Sequence, residues 1–257
     1  MKLVTVEQMR DLERKADMTG LNKESLIQKA GFAVALLTDD LLGDFDASNP
    51  PQSEEISTIL ILIGPGNNGL DGMVAASDLA RWGYHVTAYV CVPLSDELTS
   101  YIYAAEADGA SIIHSDFDYS ILREKLSVAD FVIDAILGTG NNRKIEGSIS
   151  TILNLVRKEQ TKKPSPGILA VDIPTGINAD SGSVDAHHIN ADITLSLGFP
   201  KVGQFLSSAG EYTGRLFNAS IEIPPTLSET IPIDISTATS IRPLIGMRSK
   251  FSHKGTF

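Results

Sequence analysis

The sequence predicts an α/β protein, a three-layer αβα sandwich built on a mostly parallel sheet. Three observations carry that expectation. Apolar runs without polar alternation recur at Thr58 to Ile63, His85 to Val92, Asp130 to Leu137 and Ile168 to Ile173, the pattern of strands buried on both faces. Segments of helical period separate them, and this alternation implies parallel pairing through right-handed crossovers. A glycine-rich stretch, Gly64-Pro65-Gly66-Asn67-Asn68-Gly69-Leu70-Asp71-Gly72, follows the first run directly. Open α/β sheets bind ligands in the crevice such a stretch creates.

Taken in order, Val6 to Ala16 and Lys23 to Leu42 read as helices, the second with Leu26, Ala30, Ala33 and Leu37 at helical spacing and Asn22 or Ser25 as its cap. Gly43 to Thr58, with Asn49-Pro50-Pro51, reads as a loop. The glycine-rich loop leads into a helix from Asp71 to Trp82, closed by Gly83. After the strand His85 to Val92 come a helix (Asp96 to Asp108), a short strand (Ser111 to His114) and a helix (Tyr119 to Leu126). The strand Asp130 to Leu137 opens into a second glycine-rich loop, Gly138-Thr139-Gly140-Asn141-Asn142-Arg143-Lys144, followed by a helix, Ile149 to Lys158. The next strand ends in Asp172-Ile173-Pro174-Thr175-Gly176, and Pro174 forces the chain to turn there. Asp192 to Phe199 and Arg215 to Ile223 are late strands, joined through a loop at Ala209 to Gly214. After Ile223 the helix and strand periods dissolve into Pro-, Ser- and Thr-rich text that reads as a linker. The expected organisation is therefore one domain over residues 1–224, then a linker and the start of a second unit over residues 225–257.

At 257 residues, the chain can bury about three quarters of its unfolded surface and needs no disulfide staples. Its one cysteine, Cys91, lies in an apolar strand and reads as core. A net charge of −11 argues against nucleic acid and anionic membranes as partners. No apolar span is long enough to cross a bilayer, and Met1-Lys2-Leu3-Val4-Thr5 lacks a signal-peptide core. A soluble protein of the cytoplasm is expected.

Gly64, Gly66 and Gly69 fit the dinucleotide pattern G-x-G-x-x-G after a strand and before a helix, as in a Rossmann-like sheet. The acid that should hold a ribose at the end of the next strand is absent, since Cys91 and Val92 stand there. The phosphate-loop pattern fails at Leu70 and Asp71, and Asp71 would repel a diphosphate seated directly on the helix end. Two amides and a carboxylate suit hydroxyls, a sugar, a carboxamide or a cation. A tight turn whose asparagines cap the helix is the alternative. Arg143 and Lys144 in the second loop either neutralise phosphate, helped by backbone N–H groups, or are surface charges on a solvated loop. Asp134 lies inside an apolar strand, where a carboxylate is costly without partners. Cation binding or bonds to neighbouring amides would each explain it. Asp172 stands at the carboxyl end of a strand, the usual edge for chemistry. The five histidines show neither metal-ligand spacing nor a nucleophile elbow, so a zinc enzyme or a Ser-His-Asp hydrolase is not indicated.

These segments resemble the NAD(P)HX epimerase family (the YjeF N-terminal domain), which repairs hydrated nicotinamide cofactors. The family loop reads G-P-G-N-N-G-G-D-G, and this chain departs from it at Leu70. The resemblance spans about Val4 to Pro224 through four segments in the family's order: Asn67 to Asp71, Asp134 with Gly138 to Lys144, Asp172 to Gly176, and Ala191 to Gly214 with its Gly198-Phe199-Pro200-Lys201. Gln28-Lys29-Ala30-Gly31 departs from the family's Glu-Asn-Ala-Gly, and that helix reads as packing.

The resemblance implies that Asn67, Asn68, Gly69, Leu70, Asp71, Gly138, Thr139, Gly140, Asn141, Asn142, Arg143 and Lys144 line the substrate pocket. It implies that Asp172 contacts the hydrated nicotinamide and that Asn68, Asp134 and Thr175 hold a potassium ion (K+). Thr175 replaces a common family serine and retains the hydroxyl. The implied reaction is epimerisation of NADHX or NADPHX, with Asp172 as acid/base. The implied assembly is a homodimer, as family members often are. Ser252-His253-Lys254-Gly255 resembles the opening of the ADP/ATP-dependent dehydratase domain of bifunctional family members, and a chain that is the front half of a longer enzyme is expected from it. A non-catalytic ligand- or protein-binding module on the same fold is the competing expectation. A nicotinamide dehydrogenase is disfavoured by the missing ribose acid.

Overall fold

The computed structural model describes residues 1–43, 56–114, 116–140, 143–236 and 238–244. The elements in chain order are β1 (Lys2–Leu3), α1 (Val6–Met18), α2 (Lys23–Gly43), β2 (Thr58–Ile63), α3 (Asn67–Arg81), β3 (His85–Val90), α4 (Asp96–Ala107), β4 (Ser111–His114) and α5 (Ser120–Val128). They continue with β5 (Phe131–Ala135), α6 (Gly147–Gln160), β6 (Gly167–Val171), β7 (Ile193–Leu197), α7 (Ser207–Thr213), β8 (Arg215–Ala219) and β9 (Ile233–Asp234).

Seven strands pair in the order β4-β3-β2-β5-β6-β7-β8, and every pairing is parallel. The strand text explains this. Ile59, Ile61 and Ile63 face one side and Leu60 and Leu62 the other, and all are buried, so both faces need helices over them. One layer, with Leu12 of α1, Val34 of α2, Met73 of α3 and Ile102 of α4, shares a core with the odd-numbered β2 side chains. The opposite layer, with Leu122 of α5 and Ile152 and Val156 of α6, packs on the even-numbered set. The three-layer αβα sandwich is thus the observed architecture. Cys91 is buried in the second core, and burial pushes its thiol up.

The chain leaves β2 toward β3 on one side and β5 toward β6 on the other, so the order reverses between β2 and β5. This switch point opens a crevice at the carboxyl ends of those strands. The register places Leu62 opposite both Tyr89 and Asp134, and Asp134 opposite Ala170. Asp134 therefore sits in the centre of the sheet, one residue from its working edge.

Several elements differ from the sequence reading, among them β8, which ends at Ala219 where a strand to Ile223 was expected. Helix α3 begins at Asn67, four residues before the expected start, because Gly66 serves as its N-cap without a side-chain bond. Asn and Gly are weak helix formers, and here packing overrides that preference: Asn68 to Gly72 are all buried. Ser207 to Thr213 form α7 where a loop was expected, with Ala209 and Thr213 buried. The expected linker contains β9, which pairs antiparallel with β1 (Lys2↔Asp234, Leu3↔Ile233). Two-residue strands leave no period to read. The expected dehydratase-like text at Ser252 to Gly255 lies outside the described residues.

Candidate active site

The carboxyl ends of β2, β5 and β6 face one cavity of about 1060 Å³, the upper end of the range for small-molecule sites. The chain approaches itself closely there. A Cβ on Gly64 would lie 1.8 Å from the Ile136 carbonyl oxygen, and one on Gly69 would lie 2.1 Å from the Gly64 carbonyl oxygen. Glycine is thus required for the turn out of β2 to lie against the turn out of β5. The Gly64 N–H also donates to the Ala135 carbonyl at 3.0 Å.

From the first loop, Pro65, Gly66, Asn67, Asn68 and Asp71 reach the cavity wall. Gly69 and Leu70 are absent from it, and Leu70 belongs to the core on the α1–α4 side of the sheet. From the second loop, Gly138, Thr139, Gly140 and Arg143 line the wall. Lys144 does not, and it pairs with Glu146 at 3.3 Å on the surface. Asn141 and Asn142 lie outside the described residues.

Asp134 and Thr175 are fully buried behind Ile136 and Leu137, which are on the wall. Thr175 donates to the Asp134 carboxylate through its hydroxyl (2.7 Å to Oδ1) and its N–H (2.7 Å to Oδ2). The Ile136 N–H adds a third bond at 3.2 Å. The Leu137 N–H in turn donates to the Thr175 hydroxyl at 3.0 Å. One carboxylate thus fastens the turn after β6 to the turn after β5. Burial pushes its carboxyl up to about 6, against the pull of those three bonds. Among the described residues no basic side chain pairs with Asp134, and the Asn68 carboxamide adjoins Gly138, whose Cβ would lie 3.1 Å from Asn68 Oδ1. Carboxylate, carboxamide and hydroxyl oxygens are of the ligand type that hard cations take.

Asp172 follows β6 with φ of 65°, in the left-handed region that non-glycine residues rarely adopt. Three bonds hold it there: its N–H donates to Leu195 O (2.8 Å), Gln204 Nε2 donates to its carbonyl (2.7 Å), and the Leu197 N–H donates to its carboxylate (3.1 Å). Strain of this kind concentrates at functional positions. The carboxylate forms an ion pair with Lys201, whose ammonium also donates to Leu197 O at 2.9 Å. Lys201 is only 1% exposed.

Lys201 stands within Gly198-Phe199-Pro200-Lys201, and nothing in the sequence marks it for a role in the site. No site role is expected of α1 either, yet Met9, Arg10 and Glu13 line the cavity. Helix α1 is set in place by a capping box between Thr5 and Gln8 and by Asp180, which accepts from the Val6 N–H at 2.8 Å. The available signal was a charged row, Arg10, Glu13, Arg14 and Asp17, on a helix otherwise suited to packing.

Two polar atoms on the wall lack a hydrogen-bond partner among the described residues: Asn68 Nδ2 and Asp71 Oδ1. Asp71 is 5% exposed. Its carboxyl is pushed well above the usual carboxylate range, first by burial and then by the negative charges of Asp172 and Glu13. The Glu13 carboxyl is raised too, chiefly by burial, while Lys201 pulls it down.

The family model described as YjeF-related protein N-terminus matches residues 23–203. The chain is 31% identical to the bifunctional NAD(P)H-hydrate repair enzyme Nnr of Thermofilum pendens over all of its own length and 47% of the relative's. It is 31% identical to the NAD(P)H-hydrate epimerase of Lentilactobacillus buchneri, over 86% of this chain and 94% of that one. The crystal structure of yeast ynu0 superposes with a TM-score of 0.72 at 19% identity, over 93% of this chain and 98% of the yeast chain, a likeness of fold. The chain spans about half the length of the bifunctional relatives it matches.

Proposed function

The chain belongs to the family of the YjeF-related protein N-terminus, and on that premise we propose that it interconverts the R and S forms of hydrated NADH and NADPH. One observation carries the reading. Residues far apart in the chain (Asn67, Asn68 and Asp71; Gly138, Thr139, Gly140 and Arg143; Asp172) meet on a single cavity at the switch point of the sheet. The relatives named NAD(P)H-hydrate epimerase support it. The buried Asp172–Lys201 pair favours catalysis over a bare binding module, which has no need of a strained, desolvated charge pair.

In this reading the hydrated nicotinamide lies toward Asp172, and Arg143 and the backbone of the second loop receive the phosphates. Asn68, Asp134 and Thr175 hold a potassium ion. Their oxygens, and the lack of a basic counter-charge at Asp134 among the described residues, fit that ion, which would supply positive charge beside a buried carboxylate. The chain's own groups do the rest. The ring nitrogen's lone pair expels the hydroxyl once an acid protonates it, and water re-adds from the other face. A dehydratase half, a homodimer and a cytoplasmic location belong to the same proposal. Among the described residues no helix is long and apolar enough to cross a membrane.

The test is to follow purified single epimers of NADHX and NADPHX with potassium varied. Convergence to one epimer mixture, faster with potassium, is expected. A folded chain that leaves both epimers at their uncatalysed rate contradicts the proposal.

A further inference from the structure

We propose that Asp71 is the proton donor to the departing hydroxyl and that the Asp172–Lys201 pair is its ionised counterpart. This rests on the epimerase reading above. The geometry separates two carboxyls that share one cavity. Asp172 is committed: it is ion-paired with Lys201 and accepts from the Leu197 N–H. Asp71 is uncommitted: it is buried on the wall, with Oδ1 bonded to nothing among the described residues. A buried carboxyl without donors is stable only when it carries its own proton. It can then give that proton to a hydroxyl placed before it. Of two acids on one cavity, one without hydrogen-bond donors and one held in an ion pair, the first is placed as acid and the second as base.

The surrounding charges act on Asp71 in opposite directions, and burial decides between them. Asp172 after β6 and Glu13 on α1 both disfavour a charge on Asp71, while Lys201 before the turn at Val202 and Lys23 on α2 favour it. Tyr101 on α4 senses the same carboxyl. Burial outweighs all of them.

The step balances without a further reactant. The Asp71 proton passes to the hydroxyl oxygen, the C–O bond breaks with its pair on oxygen, and water leaves as the ring nitrogen's lone pair forms a C=N bond. Water adds to the opposite face and sheds a proton to Asp172. Proton exchange between the two carboxyls restores the start.

Two measurements test this. In the first, the chain carries carboxyl-13C aspartate, and the signal lost in Asp71→Asn is titrated. A midpoint above the ordinary aspartate range is expected; a midpoint within that range overturns the proposal. In the second, kcat for epimer equilibration is followed against pH. Asp71→Asn is expected to lose about 10²-fold or more in kcat, with KM little changed, and to lose the alkaline limb of the profile. An Asn variant with the parental rate and profile overturns this proposal alone. A parental chain that is folded and inactive overturns the epimerase reading and this proposal with it, whatever the 13C titration shows.

Discussion

The two glycine-rich loops have similar composition and opposite physical characters. In the first, Gly64, Gly69 and Gly72 have neighbours where a side chain would begin, and only Gly66 stands open, so protein packing dictates most of the loop. In the second, a Cβ on Gly140 would meet nothing within 4 Å, and Lys144 is exposed. That loop is held at its root, where Thr175 receives the Leu137 N–H and bonds Asp134. The first loop is a fixed wall, and the second is a rim on a fixed hinge. Glycine content alone does not distinguish a position that must be glycine from one that merely is.

The sharpest way to break the comparison is Gly64→Ala. Its methyl would collide with backbone, which cannot rotate away, and the loss should be about 3 kcal/mol, the top of the overpacking range. Denaturant unfolding reads this directly. Thr175→Ala should cost about 2 kcal/mol, because it removes the hydroxyl bond to Asp134 Oδ1 and leaves the Leu137 N–H without its acceptor, and Thr175→Ser should recover most of it in the same experiment. Asp71→Asn should change stability with pH. The folded carboxyl is raised above its unfolded value, so its contribution is present below the ordinary aspartate range and is lost as pH rises through the raised value. Melts at about pH 5 and about pH 8 should therefore show the variant gaining on the parent at the higher pH. Smallest is Gly140→Ala, expected within about 0.5 kcal/mol of the parent. A large loss there would erase the difference between the loops.

The sheet was legible in the sequence because its strands are continuous apolar runs, and an interior buried on both faces has no other text. Asp134 was legible for the same reason, as one acid in such a run. The start of α3 was not, because Asn67 to Gly72 carry loop-forming residues and only tertiary packing makes them helical. Lys201 was not assigned because a lone lysine in a loop gives no sign that it will be buried. Its burial depends on Asp172, 29 residues earlier. The α1 face was hidden similarly, since Glu13 gains its meaning only when Thr5 and Asp180 fix that helix over the cavity.

The most direct measurement is a crystal structure of the chain soaked with hydrated NADPH. The ring hydroxyl is expected between Asp71 and Asp172, with the diphosphate along Gly138 to Arg143. A nicotinamide ring bound away from Asp71 and Asp172 would contradict that expectation.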